Sequence, residues 1–165
     1  MTDVVGSDGK TYTLEPRASL VGAKLSGVNC PGVDLSFADL SNADLSNSYF
    51  YNGNIPGDQA KSLFKGASLQ GANLQGVNLG FVDLASVDLS GSDLRGAILR
   101  SVKLHNTNFD GADMSRVDLS SAKLEGASFS NVKISHSNFT WADFENVDFS
   151  NFDLSHSNFT YAKLA

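Results

Sequence analysis

A period of five runs through nearly the whole chain. From Ala18 the sequence divides into ASLVG, AKLSG, VNCPG, VDLSF, ADLSN, ADLSN, SYFYN and GNIPG. From Ser62 it resumes as SLFKG, ASLQG, ANLQG and VNLGF, and it continues so to Ala165. Take the third residue of each five as its centre. Centres run from Leu20 to Ile55 in one register and from Phe64 to Leu164 in another, nearly all of them Leu, Phe, Ile or Met. The residue two before each centre is nearly always Ala, Val, Ser, Gly or Thr.

Five matches neither a helix nor a flat strand. In a helix, apolar residues spaced by five drift around the axis, and in a strand they alternate between faces. The spacing needs a chain that turns a corner every five residues. Four corners close a square, so one coil takes twenty residues. Each centre points inward, the small residue two before it fills the remaining interior, and the other three positions face solvent. The position two after the centre is rich in Gly and Asn, including Gly22, Asn42, Gly66 and Gly91. These residues tolerate the positive φ that the third position of a type II turn requires.

The twenty-residue period is also visible directly. ISHSNFTWADF from Ile134 returns as LSHSNFTYAKL from Leu154, so His136 falls on His156, Phe139 on Phe159 and Trp141 on Tyr161. Phe109, Phe129 and Phe149 share one slot, and Leu94, Met114 and Ile134 share another, as core centres. Rings stacked in successive coils are expected about 4.8 Å apart.

The A(D/N)LXX pattern resembles the pentapeptide repeat family over Ala18 to Ala165. The resemblance implies an all-β fold, a right-handed quadrilateral parallel β-helix, here a solenoid of about seven coils. Cyanobacterial members of the family resemble the chain in their plainness. The quinolone-resistance members, of the Qnr and MfpA kind, resemble it in repeat and size class, and they present an acidic rod to DNA gyrase. The chain departs from them in lacking a C-terminal dimerising helix and in having a shorter loop.

Residues 1–17 lack the repeat. VVGSDGKTYTL reads as two short strands around a turn, a hairpin-like cap over the first coil of the 18–165 domain. Between Ile55 and Phe64 lie nine steps. Either four residues are inserted there, or a centre is skipped and one residue deleted. Deletion would make Gln59 or Ala60 a core centre, leaving a polar group or a void inside. We read an insertion, with a short loop at 56–61. Insertion brings Phe37, Phe81, Trp141 and Tyr161 to one corner of the square. In the last two coils, Phe152 stands where a small residue is usual, so local crowding is expected.

The composition excludes several functions. Twelve Lys and Arg against 18 Asp and Glu give a net charge of −6 and an isoelectric point near 4.8, without the basic footprint of direct nucleic-acid binding. The single Cys30 makes no intrachain disulfide and reads as a buried centre. No apolar run approaches the ~20 residues of a membrane span. The N-terminus has no signal-peptide pattern, so the expected location is cytoplasmic. Motifs for nucleophilic, zinc or phosphate chemistry are missing. A filled prism offers no catalytic pocket, so neither enzymatic activity nor a cofactor or metal is expected. His136 and His156 read as a solvated corner duplicated with its repeat.

The expected function is therefore a protein-binding or scaffold module with a rigid surface. The candidate surface combines an acidic stripe of Asp44, Asp88, Asp110 and Asp148 with the aromatic corner of Phe37, Phe81, Trp141 and Tyr161. The alternative is a DNA-mimic modulator of DNA gyrase or topoisomerase. An ice-binding rod would need a regular Thr ladder, and only Thr140 and Thr160 stack. An uncapped last coil, with Leu164, Phe159 and Phe144 partly uncovered, points to a homodimer joined through the C-terminal coil.

Overall fold

A computed structural model describes residues 1–50, 64–149 and 152–164. Thr2–Val5 (β1) and Thr11–Leu14 (β2) form an antiparallel hairpin, with Thr2 opposite Leu14 and Val5 opposite Thr11. Ser7 N–H donates to Lys24 O, and the Tyr12 hydroxyl accepts from Lys24 N–H, so the hairpin sits against the first coil. Gly6 is buried where a Cβ would collide with Lys24 O and the Tyr12 ring, which is why no larger residue fits there.

The rest is a square solenoid of single-residue parallel rungs. One run of rungs links Asn29, Tyr49, Asn78, Ile98, Asp118, Asn138 and Asn158, one residue per coil, and so counts seven coils. Strands do not lengthen because the chain turns every five residues. At nearly all described corners the N–H three residues after a centre returns to that centre's carbonyl, as Ala43 does to Leu40 and Ala97 to Leu94, while Ser137 N–H goes to Ser157 Oγ. The third residue of this turn has positive φ: Gly91 at 64°, Asn106 at 56°, Trp141 at 63°. Between coils, the N–H groups of a centre and of the residue two beyond donate forward. Leu69 reaches Asp88 O and Gly71 reaches Ser90 O.

Four columns of centres fill the interior. Face 1 stands over Leu40, Leu69, Leu89, Phe109 and Phe129. Face 2 stands over Leu45, Leu74, Leu94, Met114 and Ile134, face 3 over Cys30, Phe50, Leu79 and Phe139, and face 4 over Leu35, Phe64, Leu84 and Leu124. All of these are buried. Three interior hydroxyls donate to a centre carbonyl of the coil before, Ser48 to Leu25 O at 2.7 Å, Thr107 to Leu84 O at 2.9 Å and Ser137 to Met114 O at 3.0 Å, and Ser92 donates to Leu89 O of its own coil at 2.7 Å. Each buried hydroxyl is thereby satisfied without an interior water.

The interruption is larger than either alternative read from the sequence. Asp39 pairs with Ser68 and Asp44 with Asn73, twenty-nine residues on, whereas Ser68 pairs with Asp88 twenty on. A four-residue insertion requires twenty-four, and the deletion requires nineteen. Nine residues beyond the ordinary step therefore lie between Phe50 and Phe64, and Phe64 stacks over Leu35. The expected loop at 56–61 lies outside the described residues. Two placements are corrected by this register. Phe37 stands at the corner of Gly66 and Ser86, one corner away from Phe81, and Asp44 belongs to face 2 and not to the face of Asp88.

The last coil is distorted. Phe109 and Phe129 stack at 5.1 Å, but Phe149 does not continue their column. Phe152 instead meets the Phe129 ring edge-on at 5.5 Å and Phe149 at 5.5 Å. The slot of Phe152 holds Ala72 and Ala112 in earlier coils. A phenyl ring cannot fit there without lifting the coil.

Candidate functional site: an aromatic corner and an acidic face

The second residue of the repeat does more than face solvent. Its Asp or Asn side chain accepts the backbone N–H two residues on, as Asp39 does from Ser41 at 3.0 Å, Asp88 from Ser90 at 3.0 Å and Asn138 from Thr140 at 3.1 Å. This Asx capping closes each corner and explains why Asp and Asn recur there. The signal was present in the A(D/N)LXX spacing, but the expectation of a free outward position missed it.

Asp93 carries this furthest. It accepts from Arg95 N–H, from the Arg95 guanidinium through two bonds, and from Gln75 Nε2 at 2.6 Å in the coil before. The Arg95 bonds, followed by that of Gln75, hold its carboxyl down at about 2 against the opposing effect of burial. Burial pushes the Asp118 carboxyl up, but the Arg100 guanidinium and Ser120 outweigh it and leave the group below its usual value. Ser41 lowers Asp39 and Ser155 lowers Asp153, with a smaller contribution from His136 and His156.

Charge is distributed unevenly. Face 1 carries Asp39, Asp88, Asp110 and Asp148, and no Lys or Arg among its described residues. Face 2 mixes Lys24, Asp44, Asp93, Asp113 and Lys133. Face 4 alternates Asp83, Lys103, Lys123, Asp143 and Lys163, with Lys163 bound to Glu145 and to Asp143. Face 3 is nearly uncharged, because its Arg100 and Asp118 pair at 2.5 Å.

Phe81, Trp141 and Tyr161 project from the corner that closes face 3, at φ of 64°, 63° and 60°. They are 58%, 61% and 69% exposed. Trp141 and Tyr161 stack at 4.3 Å. Bulky residues rarely adopt this conformation, and Ser101 and Ser121 occupy the same corner in intervening coils. Beside Phe81 lies a hollow of about 300 Å³ lined by Asn78, Gly80, Phe81, Ile98 and Arg100. Gly80 has neither a positive φ nor a close neighbour that demands glycine, so the bare backbone there only keeps the hollow open. On the opposite edge of face 3, His136 and His156 stack at 4.6 Å. Among the described residues no group of three or more His, Cys, Asp or Glu is arranged to hold a metal, and no helix is long and apolar enough to cross a membrane.

Comparison with known proteins agrees with this geometry. A model of pentapeptide repeats in eight copies matches residues 17–55 and 62–100, and a model of the pentapeptide repeat region matches 82–159. The chain belongs to the pentapeptide repeat family. Its fold is that family's right-handed quadrilateral β-helix. Two trypsin-treated variants of QnrB1, a plasmid-mediated fluoroquinolone resistance protein, superpose on it with TM-scores of 0.65 and 0.53. The first is 18% identical, with 92% of this chain and 82% of that one covered; the second is 19% identical, covering 90% and 80%. HetL, a pentapeptide repeat protein involved in heterocyst differentiation regulation in the cyanobacterium Nostoc, is 22% identical over 90% of this chain and 88% of its own, with a TM-score of 0.39. At these identities the likeness is one of pentapeptide repeat fold. Among curated protein sequences, none matches this one.

Proposed function

We propose that this pentapeptide repeat protein is a non-catalytic binding or scaffold module whose main contact surface is face 3 and its aromatic corner. The observation that carries this is the trio Phe81, Trp141 and Tyr161, held at strained positive φ and more than half exposed. Serine at that corner would cost less strain and expose less apolar surface, so the rings serve something outside the coil. The neutral face beside them and the hollow at Gly80 suit an apolar side chain of a protein partner. The test is affinity capture with cross-linking from the source cell, comparing the native protein with a Phe81→Ser, Trp141→Ser, Tyr161→Ser variant. Serine already occupies this corner, so the fold is retained. A partner captured equally by both proteins would rule the surface out.

A second reading is favoured by face 1, where Asp39, Asp88, Asp110 and Asp148 gather on a face with no Lys or Arg among its described residues. That face supports a mimic of DNA acting on gyrase or topoisomerase, in keeping with the fold shared with a fluoroquinolone resistance protein. A supercoiling assay with Asp88→Asn, Asp110→Asn protein against native protein separates the two readings. A homodimer through the C-terminal coil belongs to either. Light scattering giving 17.5 kDa at every concentration would exclude it.

A further inference from the structure

Four successive coils place Ser101, Ser121, Trp141 and Tyr161 at the corner that closes face 3, with φ of 54°, 58°, 63° and 60°. Two coils in a row therefore carry no ring there, and the next two do. All four corners and their flanking residues are described. Trp141 and Tyr161 stack at 4.3 Å with 19° between their planes. Since they belong to successive coils, their planes lie across the solenoid axis and project from the corner as two parallel plates. Tyr161 covers one face of Trp141. The other face turns toward Ser121, whose side chain is too short to cover it, and Trp141 stays 61% exposed. The space over Ser101 and Ser121 is a notch two coils long. At about 4.8 Å per coil, that is room for two stacked rings.

We propose that the notch receives the same two rings of a second copy of this chain, in a dimer of antiparallel rods lying side by side. The order serine, serine, ring, ring is self-complementary when reversed. A two-fold axis perpendicular to the solenoid, midway in height between Ser121 and Trp141, brings the partner's Trp141 over Ser121 and the partner's Tyr161 over Ser101. The partner's notch is filled in the same way. One stack of four rings results, with the two Trp141 side chains at its centre. Other registers fail. A slide of one coil in one direction sets Trp141 against the partner's Trp141 at the same height. A slide in the other sets Tyr161 against the partner's Phe81, since Phe81 holds the corner one coil before Ser101. Parallel rods oppose every ring to its own copy. The inference rests on the reading of this corner as a contact surface and names its occupant.

Charge agrees with this register. Beside the corner, face 4 carries Lys123 in the coil of Ser121 and Asp143 in the coil of Trp141. The two-fold axis sets Lys123 opposite the partner's Asp143, and Asp143 opposite the partner's Lys123. Lys123 is exposed and has no ion pair among the described residues. Lys103 comes opposite the partner's Lys163, but Lys103 is bound to Asp83 at 3.8 Å, and Lys163 to Glu145 and Asp143. On the face 3 side the meeting residues are uncharged apart from Arg100, which Asp118 neutralises. The contact covers four coils along one edge, so the dimer is a weak and reversible one. It differs from an end-to-end contact through the last coil, because its centre lies between the coils of Ser121 and Trp141.

The experiment is sedimentation equilibrium of the full chain from about 10 μM to about 1 mM, with thermal unfolding of each variant as the check on folding. The native mass should rise from 17.5 kDa toward twice that value. Ser121→Trp adds a ring at a corner where Trp141 already shows that tryptophan fits. It fills the notch, so association should weaken by about tenfold or more although apolar surface has been added. Trp141→Ser removes the inserted ring and should weaken it similarly. An equimolar mixture of the two variants again has one ring at each height, and it should associate about as tightly as the native protein. Lys123→Glu alters only an exposed side chain and should weaken association by about threefold or more. A native mass of 17.5 kDa throughout, Ser121→Trp protein that associates as tightly as the native, or a mixture no tighter than its components would each overturn the proposal. None of these results touches the wider reading of the corner. That reading fails when the triple serine variant captures the same partners as the native protein.

Discussion

The ring of Phe37 lies over Gly66 in the next coil, so close that a Cβ on Gly66 would stand 2.7 Å from Phe37 Cδ1. The same relationship joins Asn42 to Gly71 at 2.6 Å and Asn106 to Gly126 at 2.5 Å. At these three corners the following coil makes room for the side chain by having none. Gly91 is a natural control, with a φ of 64° against 66° at Gly66 and nothing within 4 Å of the position its Cβ would take. Gly91→Ala should cost about 1–2 kcal/mol, the penalty of a left-handed alanine. Gly66→Ala should cost about 1 kcal/mol more, because the ring must also move. Adding Phe37→Ser should remove that excess in a double-mutant cycle read from urea midpoints. Equal costs at the two glycines would show that the ring contact has no energetic weight.

Leu94 and Asp93 are neighbours with opposite roles. Leu94 is fully buried in the column of Met114 and Ile134, so Leu94→Asp should abolish cooperative unfolding by placing an unpaired charge inside. Asp93→Ala should cost about 1–2 kcal/mol, more than an ordinary surface change, because it removes a corner cap together with the bonds from Arg95 and Gln75. Unfolding curves that place Asp93→Ala within error of the native protein would refute the capping role.

Asp93 also makes stability depend on pH. Its folded pKa of about 2 lies below the ordinary 3.8, so its contribution is present above 3.8 and is lost as the pH falls through about 2. The side chain is 30% exposed, so the contribution is set at about 1 kcal/mol after allowing for screening. The stability difference between native protein and Asp93→Asn should be steady from pH 7 to 5 and should shrink toward pH 2. A difference that stays constant down to pH 2 would assign the effect to packing.

Thr107 is buried and donates to Leu84 O, while Val102 and Val117 fill equivalent slots with no donor. Thr107→Val should therefore fold normally and cost about 1 kcal/mol or less, measured by thermal unfolding. A loss several times larger would mean that the hydroxyl fixes the stacking register.

The period of five, the inward centres and the corner chemistry were legible in the sequence because each depends on residues close together in the chain. Leu94 must turn inward and Gly91 must turn the corner whichever coil lies above them. The stacked pairs His136–His156 and Trp141–Tyr161 were legible for a related reason: an unbroken count of twenty separates their members. Register across the interval from Phe50 to Phe64 was not legible. Rotating the later coils by one corner leaves every local pattern intact, so only the rungs Asp39–Ser68 and Asp44–Asn73 decide it. Those rungs moved Phe37 away from Phe81 and Asp44 onto face 2. The distortion beside Phe129 was half legible: the oversized Phe152 announced crowding. Which rings would take up the crowding was decided only by the packed structure, in which Phe152 meets Phe129 and Phe149 edge-on.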